Sequence, residues 1–330
     1  MTSMKDVAKA ANVSVATVSR VLSNKPNVRQ EVRDHVMRIA RELGYRPNQI
    51  ASSLRTRTSH VIGLVVSDIR NPFFTDIARA IEDVAHESGL QVFLCNSDED
   101  PDKEAHYIAT LLEQNAAGVI LSPSPAAASN FDAIVNAKMP MVMIDRRIKG
   151  LTTDYVLSDN AAMAYELTKH IIAGGATRIA AVMGLAASFT GQERMAGYRR
   201  AMEEFDLEAI GVFVEPEEGE AERTVAAWLA DDMPPNAILT GNVRLTLGAI
   251  RAIQQAGLTI PADVMIAGFD EVPWLAFVGP GITTISQPTY EIGRSAAEML
   301  LARIENPDRP HRELILHGQL IVRESSSQRP

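Results

Sequence analysis

The sequence predicts an α/β protein in which a small all-α helix-turn-helix head precedes a body of two doubly wound parallel-sheet subdomains. Three observations predict it. Residues 1–60 hold eleven Lys and Arg against four Asp and Glu, a net of +7, which leaves −16 on the remainder of a chain whose total charge is −9. A basic head on an acidic body suits a head that meets a polyanion. Within that head, residues 3–22 read as two short helices around a tight turn. From His60 onward short apolar runs alternate with helical stretches, the mark of repeated βα units. With 330 residues, 46% of them apolar, the chain has material for two or three packed cores.

In the head, Ser3 followed three residues later by Asp6 is a capping-box pattern, and it opens a helix with Val7, Ala8 and Ala11 as its apolar side. Asn12-Val13-Ser14 interrupts it. Ser14 then caps a second helix, Val15 to Leu22, with Val18, Val21 and Leu22 inward and Val15, Ala16, Thr17 and Arg20 outward. A second helix of this kind lies in the major groove with its N-terminal side chains toward base edges, while the hydroxyls of Ser14, Thr17 and Ser19 suit phosphate oxygens. Arg20 is the long donor there, either a bidentate reader of guanine or a phosphate clamp; Val15 and Ala16 permit close approach or touch a thymine methyl. A third helix is expected from Arg29 to Leu43, with Asn27 as a possible cap, Gly44 as its stop and Val32, Val36, Ile39, Ala40 and Leu43 as its stripe. The stretch from Tyr45 to Arg57 reads on spacing alone as a linker.

Expected strands of the body are Val61–Val66, Val92–Asn96, Val119–Ser122, Met141–Asp145, Ile179–Met183, Val212–Val214, Ala237–Thr240 and Met265–Ala267. Helices such as Phe74–Ser88, Lys103–Asn115, Ala161–Ala173, Arg194–Glu204, Glu222–Ala230 and Leu245–Ala256 lie between most of them. Sheets of this type bind ligands beyond the carboxyl ends of their strands. Polar and aromatic residues follow several strands: Asp68 to Phe74, Asp145-Arg146-Arg147, the loop leading to Arg194, Thr240-Gly241-Asn242 and Gly268-Phe269-Asp270.

The run Lys5 to Leu22 (KDVAKAANVSVATVSRVL), followed by Gly44-Tyr45-Arg46-Pro47-Asn48, resembles the LacI/GalR family of transcription regulators, and the likeness extends over essentially the whole chain. The resemblance implies a DNA-binding head over 1–46, a hinge helix and linker over 47–59, and an effector-binding, dimerising body over 60–330. It implies that the body's halves are those of periplasmic sugar-binding proteins, one about 60–157 with 288–317 and the other about 158–287 with 318–330, the chain crossing near 157–160, 286–289 and 317–320. In the hinge it implies Asn48, Ala51 and Leu54 as DNA contacts, Leu54 being the wedge that opens a base step from the minor groove. Ser52 stands where many members have Arg. Carried over by position, the effector contacts are Phe73, Phe74, Asp145, Arg194, Asn242 and Asp270.

Alternatives stand beside these assignments. Arg194 and Asp270 can instead form a salt bridge across the cleft, Phe74 can be a core residue of its helix, and Trp274 can be either core or contact. Where members often carry Asn-Asp, this chain has Asn242-Val243-Arg244; the gained base favours a sugar acid over a neutral sugar, unless Arg244 points to water.

The expected protein is thus a homodimeric regulator of a near-palindromic duplex operator, most simply a repressor released by a sugar or sugar acid, with a corepressor-dependent repressor or a free sugar-binding protein as alternatives. Enzyme signatures such as GxxxxGK[ST], GxGxxG after the first strand, GxSxG and HExxH do not occur, and no catalytic residues, metal or cofactor are expected. The single cysteine, Cys95, suits a buried strand position, and the histidines are scattered. No stretch approaches the roughly 18 unbroken apolar residues of a membrane span, and the N-terminus has no apolar export core, so a cytoplasmic protein is expected.

Overall fold

In a computed structural model the chain forms two units, Met1–Ser59 and His60–Pro330, and the structure describes residues 2–22, 28–45, 60–125 and 131–327. The head contains α1 (Met4–Ala10), α2 (Val15–Leu22) and α3 (Gln30–Glu42). Ser3 and Asp6 do form a capping box: the Asp6 amide donates to the Ser3 hydroxyl at 3.3 Å and the Ser3 amide to the Asp6 carboxylate at 2.8 Å. Asn12 takes φ +52° in the turn. Val7, Ala8, Ala11, Val18, Val21, Val36 and Ala40 make a miniature core. Leu43, expected in the stripe of α3, is exposed instead, because it forms the helix C-cap before Gly44 turns the chain at φ +61°. The proposed cap Asn27 and the hinge positions Asn48, Ala51, Ser52 and Leu54 lie outside the described residues.

The body holds two six-stranded sheets. The first consists of β1 (Val61–Val66), β2 (Gln91–Asn96), β3 (Gly118–Leu121), β4 (Met141–Ile144), β5 (Asp154–Ser158) and β11 (Glu313–Leu316) in the order β11-β5-β4-β3-β1-β2, all parallel. The second consists of β6 (Ile179–Met183), β7 (Ile210–Phe213), β8 (Ala237–Thr240), β9 (Met265–Phe269), β10 (Thr283–Ser286) and β12 (Gln319–Ile321) in the order β12-β10-β9-β8-β6-β7. Here the parallel expectation meets one exception: β12 runs antiparallel to β10, because the chain arrives from the first sheet after only Leu316 to Gln319 and has no room for a crossover helix.

Helices cover both faces: α4 (Pro72–Glu87), α5 (Pro101–Glu113), α6 (Asp132–Asn136) and α11 (Thr289–Glu305) by the first sheet, α7 (Asn160–Ala173), α8 (Phe189–Glu204), α9 (Glu218–Leu229) and α10 (Val243–Gln255) by the second. Each sheet has an apolar cluster on either side, which is why strands such as Val61–Val66 read as continuous apolar runs rather than alternations. Three short segments join the halves: Asp159 between β5 and α7, residues 287–288 between β10 and α11, and 317–318 between β11 and β12.

Several helices start earlier than their apolar periodicity suggests, and at α4 a side-chain cap sets the start. Asn71 caps α4 by accepting from the Phe73 amide at 3.1 Å, with Pro72 at the first position, and α8 begins at Phe189 rather than Arg194. At Gly197 α8 packs so tightly against α7 that a Cβ would collide with the Ala161 carbonyl. Cys95 is buried in β2, and burial pushes its thiol up to about 11.

Candidate functional site

In the head, α2 turns Val15, Ala16 and Arg20 outward with Ser14 at its start, while Thr17 and Ser19 are half-buried and Val18 and Val21 are enclosed. The Ser14 hydroxyl accepts from the Thr17 amide at 3.1 Å and lies 2.9 Å from the Thr17 hydroxyl. That pairing satisfies the helix start and leaves one of the two hydroxyl hydrogens for an outside acceptor. Arg20 forms no ion pair among the described residues, so its guanidinium is open to solvent on the face that α2 presents. A short helix with small residues first and a single long donor later has the shape and chemistry of a groove-entering element.

In the body, the carboxyl ends of the two sheets meet across a cleft of about 650 Å³, open mouth included. All six expected effector residues line it: Phe73, Phe74, Asp145, Arg194, Asn242 and Asp270. Two pairs of lining residues, Asp145 with Asp270 and Asn71 with Asn242, occupy matching places in the two halves. Asp145 follows β4 at φ +66° and Asp270 follows β9 at φ +73°. Neither is glycine, so each carries a strained left-handed backbone, held by its own amide donating to the next strand, Asp145 to Val156 at 3.1 Å and Asp270 to Ile285 at 3.0 Å. This conformation ends β4 one residue sooner than the apolar pattern suggests. Similarly Asn71 caps α4 and Asn242 caps α10, accepting from the Leu245 amide at 2.8 Å. With its oxygen engaged, Asn242 presents its NH2 group as a donor.

Arg194 does not form the alternative salt bridge with Asp270. Its Nε donates to the Asn160 oxygen at 2.7 Å, one Nη donates to the Gly241 carbonyl, and its plane lies 4.2 Å over the Phe269 ring. Burial presses its pKa below the ordinary arginine value, against the pull of the nearby Asp270 and Asp145 charges. Burial likewise raises Asp145 above the usual carboxylate range, opposed by Arg146 and Arg194. Asp270 accepts from the Gln287 amide at 2.7 Å.

Phe73 and Phe74 serve in two ways. Both belong to the apolar cluster under α4 and both reach the cleft, their rings edge to face at 5.0 Å. Trp274 stands in an exposed 3-10 turn and does not line the cleft. Arg244, whose alternatives were an anion-favouring base or a solvated side chain, points neither to water nor to an empty site: it is paired with Asp68 at 3.0 Å, bridging the two halves. Asp68 also holds Arg70 at 2.9 Å.

Sequence reasoning missed Glu99, Asn160 and Gln287, and placed Arg146 only within the run that follows β4 without assigning it a role. Burial works against the Arg146 charge, but a forked pairing with Glu99 at 2.5 and 2.6 Å, and Asp145 at 3.2 Å, hold its pKa above the ordinary value. The Asp145-Arg146 sequence carried a signal for that residue; Glu99, at φ +60° after β2, carried none. Gln287 keeps a buried side-chain oxygen without a hydrogen-bond partner among the described residues, beside the cleft. Among the described residues no cluster of His, Cys, Asp or Glu suits a metal ion, and no helix is long and apolar enough to cross a membrane.

Comparison with known proteins gives both units relatives. Residues 3–48 match the model of bacterial regulatory proteins of the lacI family, and 59–321 match that of periplasmic binding proteins and the sugar-binding domain of the LacI family. A ribose operon repressor of Halalkalibacterium halodurans is 35% identical over 99% of this chain and 97% of its own length. The transcriptional repressor PurR of Aliivibrio salmonicida is 32% identical, with coverage of 98% and 99%. Among solved structures, a putative ribose operon repressor from Burkholderia thailandensis superposes with a TM-score of 0.73 at 33% identity, over 80% of this chain and 99% of its own.

Proposed function

This chain belongs to the LacI family of bacterial regulatory proteins, and from that premise we propose that it is a repressor released from its operator when a neutral sugar of about pentose size closes its cleft. It is a DNA-binding transcriptional regulator with an effector-binding body; the sugar, the sign of its effect and the residues that make each contact are the proposal.

The observation that carries the reading is Arg194, a buried guanidinium bound only to neutral oxygens among the described residues, in one cleft with the carboxylates Asp145 and Asp270. A donor fork opposite two acceptors suits a ring of hydroxyls, and Phe73 and Phe74 supply an apolar wall for its carbon face. Against a sugar acid stands the charge of the lining: Asp68, Glu99, Asp145 and Asp270 outnumber Arg146, Arg194 and Arg244, and Arg244 is already paired with Asp68. Against a purine stands the opposite wall, where Gly184, Leu185, Ser188, Thr190, Gly191 and Pro216 offer no second ring for a sandwich. The relatives named ribose operon repressors make D-ribose the first probe.

On the DNA side, Ser14, Val15, Ala16, Thr17, Ser19 and Arg20 meet the major groove, and Asn48, Ala51 and Leu54 the minor groove. Two heads of a cytoplasmic homodimer read a near-palindrome. The edge strand β2, with Phe93 and Leu94 exposed, supports pairing of bodies, since an apolar edge is costly to leave uncovered. Sugar and operator then oppose one another with a coupling of about 1–3 kcal/mol.

The test is a thermal-shift screen of the full chain with D-ribose, other pentoses, hexoses, sugar acids, hypoxanthine and guanine, followed by operator binding on a duplex recovered by selection from a random library. D-ribose is expected to raise the melting temperature and weaken operator binding. Stabilisation by hypoxanthine alone, with tighter operator binding, would overturn the reading.

A further inference from the structure

The crossing from β5 into α7 consists of one residue, Asp159, followed by Asn160, whose side chain is almost wholly buried. That carboxamide makes two bonds. Its NH2 donates to the Ser158 carbonyl at 3.1 Å, the last residue of the first sheet before the crossing, and its oxygen accepts from Arg194 Nε at 2.7 Å. The two residues it joins belong to different halves: Ser158 ends β5, and Arg194 stands on α8 against the second sheet. Beside it, the Asp159 amide donates to the Leu316 carbonyl at 2.9 Å, which ties this crossing to the third one. An amide satisfies both demands because it donates from one end and accepts at the other; Asp accepts only, and Ala does neither.

We infer that Asn160 is a positioning residue that fixes Arg194 to the crossing between the halves, so that a sugar drawing on Arg194 also acts on the segment about which the halves move. The second crossing has a parallel arrangement, with Gln287 holding Asp270 at 2.7 Å. The start of α7 is capped by Asp159, which accepts from the Ala162 amide at 3.1 Å, so the buried Asn160 amide is left to the joint. That amide converts a shift of a guanidinium in the cleft into a change of backbone at the joint, the kind of bistable local contact through which coupling passes.

The inference rests on the sugar-released reading above, and the experiment separates the two. Full-length wild type, Asn160→Ala and Asn160→Asp are compared in three measurements: D-ribose affinity, operator affinity with and without saturating D-ribose, and solvent exchange of the Arg194 Nε–H by nitrogen-15 NMR, assigned with Arg194→Lys. Asn160→Ala is expected to weaken D-ribose binding at least tenfold and to speed Nε–H exchange. Asn160→Asp keeps the bond to Arg194 but faces the Ser158 carbonyl with a second acceptor. It should keep Nε–H exchange slow, while the operator-affinity ratio with and without sugar shrinks at least fivefold. A residue that only supports the fold would lower the melting temperature in both variants and leave that ratio and the exchange unchanged, which overturns the inference. If D-ribose does not alter operator binding by wild type, the sugar reading fails, and the Nε–H exchange alone decides: equal exchange in wild type and Asn160→Ala refutes the positioning role, and faster exchange in the variant sustains it.

Discussion

The two halves of the body share a strand order and place matching residues at the cleft, yet they treat their buried arginines in opposite ways. In the first half Arg146 is neutralised within the protein by Glu99 and Asp145. In the second half Arg194 is oriented by neutral oxygens, from Asn160 and Gly241, and has no ion pair among the described residues. A buried cation with its carboxylates already in place contributes to the fold, since breaking the pair strands charges of the other sign. A buried cation held by dipoles keeps its charge available to whatever enters. Topological symmetry therefore does not imply equal function; the partner chemistry of each residue assigns it.

Removing Arg146 should cost the fold most. Arg146→Ala leaves Glu99 and Asp145 facing each other in a buried place and is expected to cost about 3–5 kcal/mol of body stability, read by urea unfolding. Arg194→Ala should do the converse. Its D-ribose affinity, by calorimetry, should fall roughly 100-fold, about 2.8 kcal/mol, while unfolding stability changes far less than in Arg146→Ala. Equal stability losses in the two variants would erase the distinction between the halves.

Asp270→Asn keeps the shape and the bond from Gln287 within reach but removes a charged acceptor, and should weaken D-ribose binding about tenfold. Smallest is Arg244→Gln: with its charge already engaged by Asp68, D-ribose affinity should stay within about threefold, whereas a sugar-acid effector would lose far more. Asp145 adds a pH dependence with a definite sign. Its folded pKa is raised, so the folded state binds its proton more tightly than the unfolded state. Body stability from this group therefore rises as pH falls from the raised value toward the ordinary carboxylate value, and Asp145→Asn should remove that part of the slope.

Much of this was legible in the residues, for identifiable reasons. The helix-turn-helix rests on local signals, a capping box and a short amphipathic helix, so the sequence places α1 and α2 within a residue or two. Central strands are legible because both faces are buried. The strands that do not stand out are those whose burial depends on partners remote in the chain. β5 begins with Asp154, acceptable inside because Arg303 reaches it at 2.9 Å across about 150 residues and the Arg312 amide donates to it at 2.7 Å. β10 is threonine-rich, and its Thr283 hydroxyl bonds to the Arg323 carbonyl. β11 and β12 are short edges. The same rule holds in the cleft. Phe73, Asp145, Arg194 and Asp270 follow strand ends or helix starts and are found by position, whereas Asn160, Gln287 and the Arg244 pairing with Asp68 exist only once the halves are brought together. Arg244 illustrates the cost: its added charge reads as anion-seeking until its partner is seen.

Arg194, a buried guanidinium hydrogen-bonded only to neutral oxygens among the described residues, is the group expected to govern how firmly the basic head holds DNA. Fluorescence anisotropy of the full chain on its selected operator, at low salt and with D-ribose titrated in, tests it most directly when wild type and Arg194→Ala are run side by side. Equal operator binding without sugar, release of wild type, and retention of Arg194→Ala at the same sugar concentrations are expected. Release of both proteins at one sugar concentration would contradict it.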